Sequence, residues 1–283
     1  MARGKPTSSS AKRRAAKSPV RVEKKGPVTT VIIDRIERRN AVDQRTGDLL
    51  VEAFLEFERD PKASVAVFAG AEGAFCAGGD LKSVADDNGK FWLKDRRFHE
   101  DGNGGVPPGP LGPSRLQLSK PVIAAVAGPA VAGGMELALW CDLRVMERDA
   151  YFGVYCRRWG IPLIDGGTIR LPRLVGLGRA LDIILTGRKV TAAEALRIGM
   201  CDRVVAKGKA RQAAEALAHE IARFPQECMR ADRNSAHRQH GLPIRAALRQ
   251  EYENGLSCFR NEGVAGAKRF ADGKGRHGDY RDI

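Results

Sequence analysis

Apolar residues recur along this chain in two rhythms. Val28-Thr29-Thr30-Val31-Ile32-Ile33 follows the turn-like Gly26-Pro27 and is β-branched throughout, which predicts a strand. Residues 46–59 then place Leu49, Leu50, Ala53, Phe54 and Phe57 at helical spacing and lead into a second apolar run, Ser64-Val65-Ala66-Val67-Phe68-Ala69. A third run, Pro121-Val122-Ile123-Ala124-Ala125-Val126, passes through Ala127-Gly128 to a helix predicted over residues 134–140. Alternating strands and helices of this length predict a layered α/β domain that begins near Val20.

The pattern changes between and after these elements. Residues 82–119 contain Asn88-Gly89, Asp101-Gly102-Asn103-Gly104-Gly105 and Pro107-Pro108-Gly109-Pro110, so the middle of this stretch is not one regular element, and it is expected to border a pocket. Thr191-Ala192-Ala193-Glu194 reads as a capping box opening a helix that ends near Gly199. Residues 210–224 and 242–270 are helical in period, the second interrupted around Gly255 and Gly263. This predicts a mainly α C-terminal region that packs over the first layer or against another subunit.

Composition narrows the class. With 283 residues and 43% of them hydrophobic, the chain can bury one substantial core. No run approaches the roughly 18 apolar residues that span a bilayer, and the N-terminus lacks the apolar segment of a secretory signal, so the cytoplasm is the expected compartment. The net charge of +14 invites a nucleic-acid reading. Its distribution argues against one: residues 1–25 hold nine Lys/Arg against the single Glu23, so +8 of the total sits there. We expect residues 1–19 to be a basic tail without a fold, residues 20–205 the core and residues 206–283 the helical region. The six cysteines, at 76, 141, 156, 201, 228 and 258, form no CxxC pair and are read as reduced thiols. His99, His219, His237, His240 and His277 are scattered without metal-ligand spacing, so no metal is expected.

The chemistry lies in two glycine-rich turns. The second predicted strand empties into Gly70-Ala71-Glu72-Gly73-Ala74-Phe75-Cys76-Ala77-Gly78-Gly79-Asp80, where Asp80 can cap the next helix. The third empties into Gly128-Pro129-Ala130-Val131-Ala132-Gly133-Gly134-Met135-Glu136 at a helix start. Glycine lets a ligand approach the backbone closely, and the amides of a first helical turn are free and partly positive. Two such amides converging would hold one oxygen that becomes negative. Either turn alone reads equally well as close packing. Neither is a P-loop, and neither has GxGxxG spacing.

Three segments in order, Arg39-Asn40-Ala41-Val42-Asp43, Ala74 to Leu81 and Ala132-Gly133-Gly134-Met135-Glu136-Leu137-Ala138, resemble the enoyl-CoA hydratase/isomerase, or crotonase, family, and the resemblance runs over residues 20–275. It implies a spiral of repeated ββα units with a helical C-terminal region, assembled as a homotrimer or a dimer of trimers. It implies an acyl-CoA thioester substrate whose carbonyl sits between the N–H groups of Gly79 and Gly133, with coenzyme A as part of the substrate and no separate cofactor. Glu136 is then the first catalytic carboxylate, and its apolar neighbours Met135 and Leu137 favour a raised pKa.

At the second carboxylate the chain departs from the pattern. Where hydratases of the family carry a glutamate shortly after Phe-Gly, Phe152-Gly153-Val154-Tyr155-Cys156 offers Cys156, read as packing rather than as a nucleophile because no histidine is near in sequence. Asp165, in Ile164-Asp165-Gly166-Gly167-Thr168, looks like an acidic position used by some isomerase-type relatives; it also suits a helix cap, and both roles stay open. Arg157, Arg158 and Arg170 flank this segment, and one of them is expected on Asp165 or on a neighbouring backbone group. For the phosphate-rich end of coenzyme A the candidates are Arg38, Arg39, Lys82, Lys268 and Arg269, the last two acting across a subunit boundary, with Ala77 at the thioester end. Hydration of an enoyl thioester ranks first. Isomerisation and other thioester chemistry follow, then a non-catalytic acyl-CoA-binding subunit and a nucleic-acid-binding relative.

Overall fold

The computed structural model describes residues 17–93 and 106–275. Most of the basic tail, the 101–105 glycine run, His99 and His277 lie outside the described residues.

The chain opens with a hairpin, β1 (Val20–Lys25) against β2 (Val28–Ile33), turning at Gly26-Pro27. Helix α1 (Gln44–Arg59) follows, its N-terminus capped by Asp43, which accepts from the Thr46 N–H and hydroxyl at 2.9 and 2.6 Å. Next come β3 (Val65–Gly70), the short helices α2 (Leu81–Asp86) and α3 (Lys90–Leu93), then β4 (Val122–Val126), β5 (Pro129–Val131) and α4 (Gly133–Trp140). Strands β6 (Leu143–Glu147) and β7 (Tyr151–Gly153) precede helices α5 (Gly167–Val175) and α6 (Leu177–Thr186). The last stretch runs through β8 (Lys189–Thr191), α7 (Ala192–Arg197), β9 (Arg203–Val205), α8 (Ala210–Ile221), α9 (Gln226–Arg238), α10 (Ile244–Cys258) and α11 (Val264–Ala271).

Six strands form the main sheet in the order β1-β2-β3-β4-β6-β9, parallel except for β1. A smaller sheet, β5-β7-β8, lies beside it. Because side chains alternate across a strand, one face of the main sheet sends Val31, Phe68 and Ala124 towards α1 and α4. The other sends Ile32, Val67 and Ile123 towards Ala214, Leu217 and Ala218 of α8. Burial on both faces is why these strands read as unbroken apolar runs rather than as alternating ones. This repeated strand-and-helix architecture with a helical C-terminal region agrees with what the resemblance implies.

Several local expectations change. The edge strand β1 alternates charged and apolar residues with most of its side chains exposed, and it carries no apolar run to announce it. Thr191 does cap α7, accepting from the Glu194 N–H at 3.3 Å, but Glu194 does not close the capping box: both its oxygens take hydrogen bonds from Arg188, at 2.7 and 2.9 Å. The helix after Pro243 passes through Gly255 unbroken, and the disturbance falls at residues 259–263, a single π-helical turn. No described helix is long and apolar enough to cross a membrane.

An aromatic cluster fixes the layer that carries the glycine turns. Phe54 of α1 stands edge-on to Phe68 of β3 at 5.2 Å and to Trp140 of α4 at 4.9 Å, and Phe68 meets Phe75 at 5.4 Å. Phe75 belongs to the first glycine turn and Trp140 ends the helix that starts with the second, so both turns hang from one packed core.

Candidate active site

The two glycine turns are bound to each other before any ligand is considered. Phe75 and Cys76 donate their N–H groups to Pro129 O, both at 3.2 Å, and the Val131 N–H returns to Cys76 O at 3.0 Å. Gly134 makes this approach possible: a Cβ there would fall 2.0 Å from Cys76 O, a main-chain atom that cannot swing away.

Backbone pairing decides which amides face outwards. Val42 bridges Gly79 in parallel, so the Val42 N–H goes to Gly78 O at 2.8 Å and the Asp80 N–H to Val42 O at 2.9 Å. In a parallel bridge the opposed residue turns its own N–H the other way, and that of Gly79 has no hydrogen-bond acceptor among the described residues. Asp80 is anchored as expected: it caps α2 at the Lys82 N–H (3.1 Å) and pairs with Arg35 (3.1 Å), which also holds Asp43 at 2.9 Å. Buried Asn40 fastens the turn from below by donating to Ala71 O and Ala74 O at 2.9 and 2.7 Å.

On the second turn, Gly133 is the first residue of α4, where an N–H has no partner inside the helix. It too lacks an acceptor among the described residues. The preceding Ala132 has φ +53° and ψ −126°, a conformation that strains any residue with a Cβ, and its N–H is held by Gly153 O at 2.8 Å. Strain concentrated beside a free amide is characteristic of functional sites.

Ala77, Gly79, Gly133, Glu136 and Asp165, far apart in sequence, line one cavity of about 80 Å³. Leu111 and Trp92 wall it, and Tyr155 and Cys156 close another side. Glu136 is 2% exposed, and its Oε1 accepts from the main-chain N–H groups of Asp165 and Gly167 at 2.9 and 2.8 Å. These amides converge because Gly166 between them has φ +97°, which turns the chain into a nest at the start of α5. Burial pushes the Glu136 pKa up to about 8, and the nearby charge of Asp165 adds to the rise, against the pull of the two N–H donors and Arg170.

Asp165 does not cap the helix. Gly166 occupies the capping position, and the Asp165 Oδ1 reaches 54 residues back to the Leu111 N–H at 3.0 Å and to the Ser114 hydroxyl. Arg170 is the expected arginine, and it binds the backbone: Nη1 meets Asp165 O at 2.9 Å and Nη2 meets Ser114 O at 2.7 Å. A guanidinium paired with the Asp165 carboxylate would lower its pKa; burial instead raises it, against the Ser114 and Leu111 donors and the charges of Arg115 and Arg170. Cys156 is buried, and desolvation beside Glu136 pushes its thiol pKa up, which suits packing and not nucleophilic attack.

The basic candidates are not among the cavity-lining residues. Arg38, Arg39 and Lys82 are exposed; Arg39 O accepts from the Ala77 N–H at 3.1 Å, and Lys82 follows the capping Asp80. Lys268 and Arg269 lie on α11, which packs mainly against the 259–263 turn. All six cysteines are free, and among the described residues no cluster of three or more His, Cys, Asp or Glu side chains is placed to hold a metal ion. The 82–119 stretch does border the pocket, as expected, but sequence reasoning did not single out Trp92, Leu111 or Ser114 within it. Their role appears only when that loop is set against α5.

Residues 23–275 match the enoyl-CoA hydratase/isomerase family. Enoyl-CoA hydratase EchA19 of Mycobacterium tuberculosis is 32% identical over 259 residues, covering 89% of this chain and 92% of that protein. A carnitinyl-CoA dehydratase of Salmonella arizonae is 37% identical over 71% of this chain and 74% of its own length. Among solved structures, enoyl-CoA hydratase EchA1 from Mycobacterium marinum superposes with a TM-score of 0.80 at 32% identity, covering 90% of this chain and 96% of that one. The chain belongs to the enoyl-CoA hydratase/isomerase, or crotonase, family and is one of its enzymes.

Proposed function

We propose that this enzyme adds water across the α,β double bond of an acyl-CoA thioester, and removes it in the reverse direction. The observation that carries the reading is Glu136, a buried carboxyl with a pKa of about 8 in a cavity that also holds two uncommitted main-chain donors. The thioester oxygen sits between the N–H groups of Gly79 and Gly133, which stabilise the negative charge it gains when oxygen adds at the β-carbon. In its ionised form, whose share grows as pH rises towards 8, Glu136 takes the proton from the attacking water, hydroxide bonds to the β-carbon, and the enolate then takes that proton at its α-carbon, which returns the carboxylate. One carboxyl thus closes the cycle, which the substitution of Cys156 for the family's second carboxylate requires. One relative is a hydratase and another a dehydratase, and these are the two directions of this step.

The same cavity supports a second reading. A single carboxyl beside Cys156 can carry a proton from the γ- to the α-carbon, which is isomerisation. Incubation with trans-2-enoyl-CoA esters in H₂¹⁸O separates the two: the hydratase reading predicts a 3-hydroxyacyl-CoA carrying ¹⁸O. Positional isomers without ¹⁸O would replace it with the isomerase reading.

For the coenzyme A arm, Ala77 lies at the thioester end, and Arg38, Arg39 and Lys82 serve the phosphates from the segments that flank it. Lys268 and Arg269 act from a second copy in a homotrimer or dimer of trimers. The exposed Ile244, Leu248 and Tyr252 of α10 fit such an assembly.

A further inference from the structure

Two buried carboxyls and one arginine meet at the floor of the cavity. Asp165 is 1% exposed and Glu136 2%, and Arg170 spends its donors on the carbonyls of residues 114 and 165. Two carboxylates buried side by side repel, so one of them holds a proton more tightly than the other. The hydrogen bonds decide which. The Asp165 Oδ1 takes a hydroxyl hydrogen bond from Ser114 as well as the Leu111 N–H, and Arg115 from the 113–115 turn adds to its field with Arg170. Among the described residues Glu136 has only main-chain donors, both on Oε1.

We propose that Asp165 is a positioning residue of this centre: its main-chain N–H aims the Glu136 carboxyl into the cavity, and its pinned negative charge makes Glu136 the stronger base of the pair, the one that takes up the transferable proton. The proposal rests on the reading of Glu136 as the acid/base. The Asp165 Oδ1 is committed to the loop that carries Leu111, a wall of the same cavity. The loop wall and the proton are therefore set by one residue. The other titratable groups here are neutral thiols and a phenol: Cys156 and Tyr155 from the 155–159 turn on the Glu136 side, Cys76 from the first glycine turn near Asp165, and Cys141 near Arg170. They carry no charge that could replace that of Asp165.

The test is a pH titration by infrared difference spectroscopy, with Glu136→Gln identifying the protonated-carboxyl band of Glu136. In Asp165→Asn the amide oxygen still accepts from Leu111 and Ser114 and the main-chain N–H remains, so only the charge is lost. The Glu136 midpoint is expected to fall from about 8 by about one pH unit or more. The limb of the kcat–pH profile should move with it, and KM should change little. Ser114→Ala, a milder change that removes one donor from Asp165, is expected to move the midpoint the same way by less. A midpoint that stays put in both folded variants, with the rate merely scaled at every pH, overturns the proposal. Because the titration needs no turnover, that failure is distinct from failure of the acid/base reading, which full activity of Glu136→Gln would show.

Discussion

Replacing Glu136 with glutamine is expected to lower turnover of an accepted enoyl-CoA roughly a hundred- to ten-thousand-fold while making the free protein more stable at alkaline pH. The loss follows, on the proposed cycle, from removing the carboxyl that carries the proton in both of its halves. The gain follows from the same burial. Between its ordinary value of 4.5 and the folded value of about 8, Glu136 keeps a proton in the folded protein that the unfolded chain has released. Stability therefore falls as pH rises through that window and levels off above it. Glutamine has no proton to lose, so the variant should match the parent below pH 4.5 and exceed it by about 3–5 kcal/mol at pH 9. Urea unfolding at the two pH values reads the difference. Equal stability at pH 9 would mean that Glu136 ionises in the folded protein without penalty.

The second large effect is expected at Gly134. Its hydrogen faces Cys76 O, and a methyl group there must push apart the two turns whose amides face the cavity. Gly134→Ala is expected to cost about 3 kcal/mol in unfolding free energy and to abolish turnover in whatever folded protein remains. Gly178 of α6 is the control, for a Cβ there meets nothing within 4 Å. Gly178→Ala should stabilise by about 0.5–1 kcal/mol and leave activity alone. If the two substitutions behave alike, the close approach at Gly134 does not hold the site together.

What could be read from the sequence, and what could not, divides along a physical line. Strands buried on both faces announce themselves, so β2, β3 and β4 were legible from Val, Ile and Ala runs, whereas the exposed alternation of β1 was not. The glycine turns were legible because a free amide beside a close backbone contact demands glycine at fixed positions. Asp165 was legible as a candidate, either an acid or a helix cap, but its hydrogen bonds were not, since its partners Leu111 and Ser114 lie 54 and 51 residues away. Glu194 failed as half of a capping box for a related reason: Arg188, brought close by β8, offers charged hydrogen bonds that outcompete a main-chain N–H. The raised pKa of Glu136 was foreseen from its apolar neighbours, but the Gly166 nest that orients it needed the fold.

The account depends on two main-chain N–H groups holding one thioester oxygen beside Glu136. A crystal structure with a non-hydrolysable acyl-CoA analogue measures this directly. The carbonyl oxygen should lie within about 3 Å of both Gly79 N and Gly133 N, with the β-carbon facing the Glu136 carboxyl. An acyl carbonyl bound away from either amide, or an acyl chain that leaves Glu136 on the far side of the cavity wall, would contradict it.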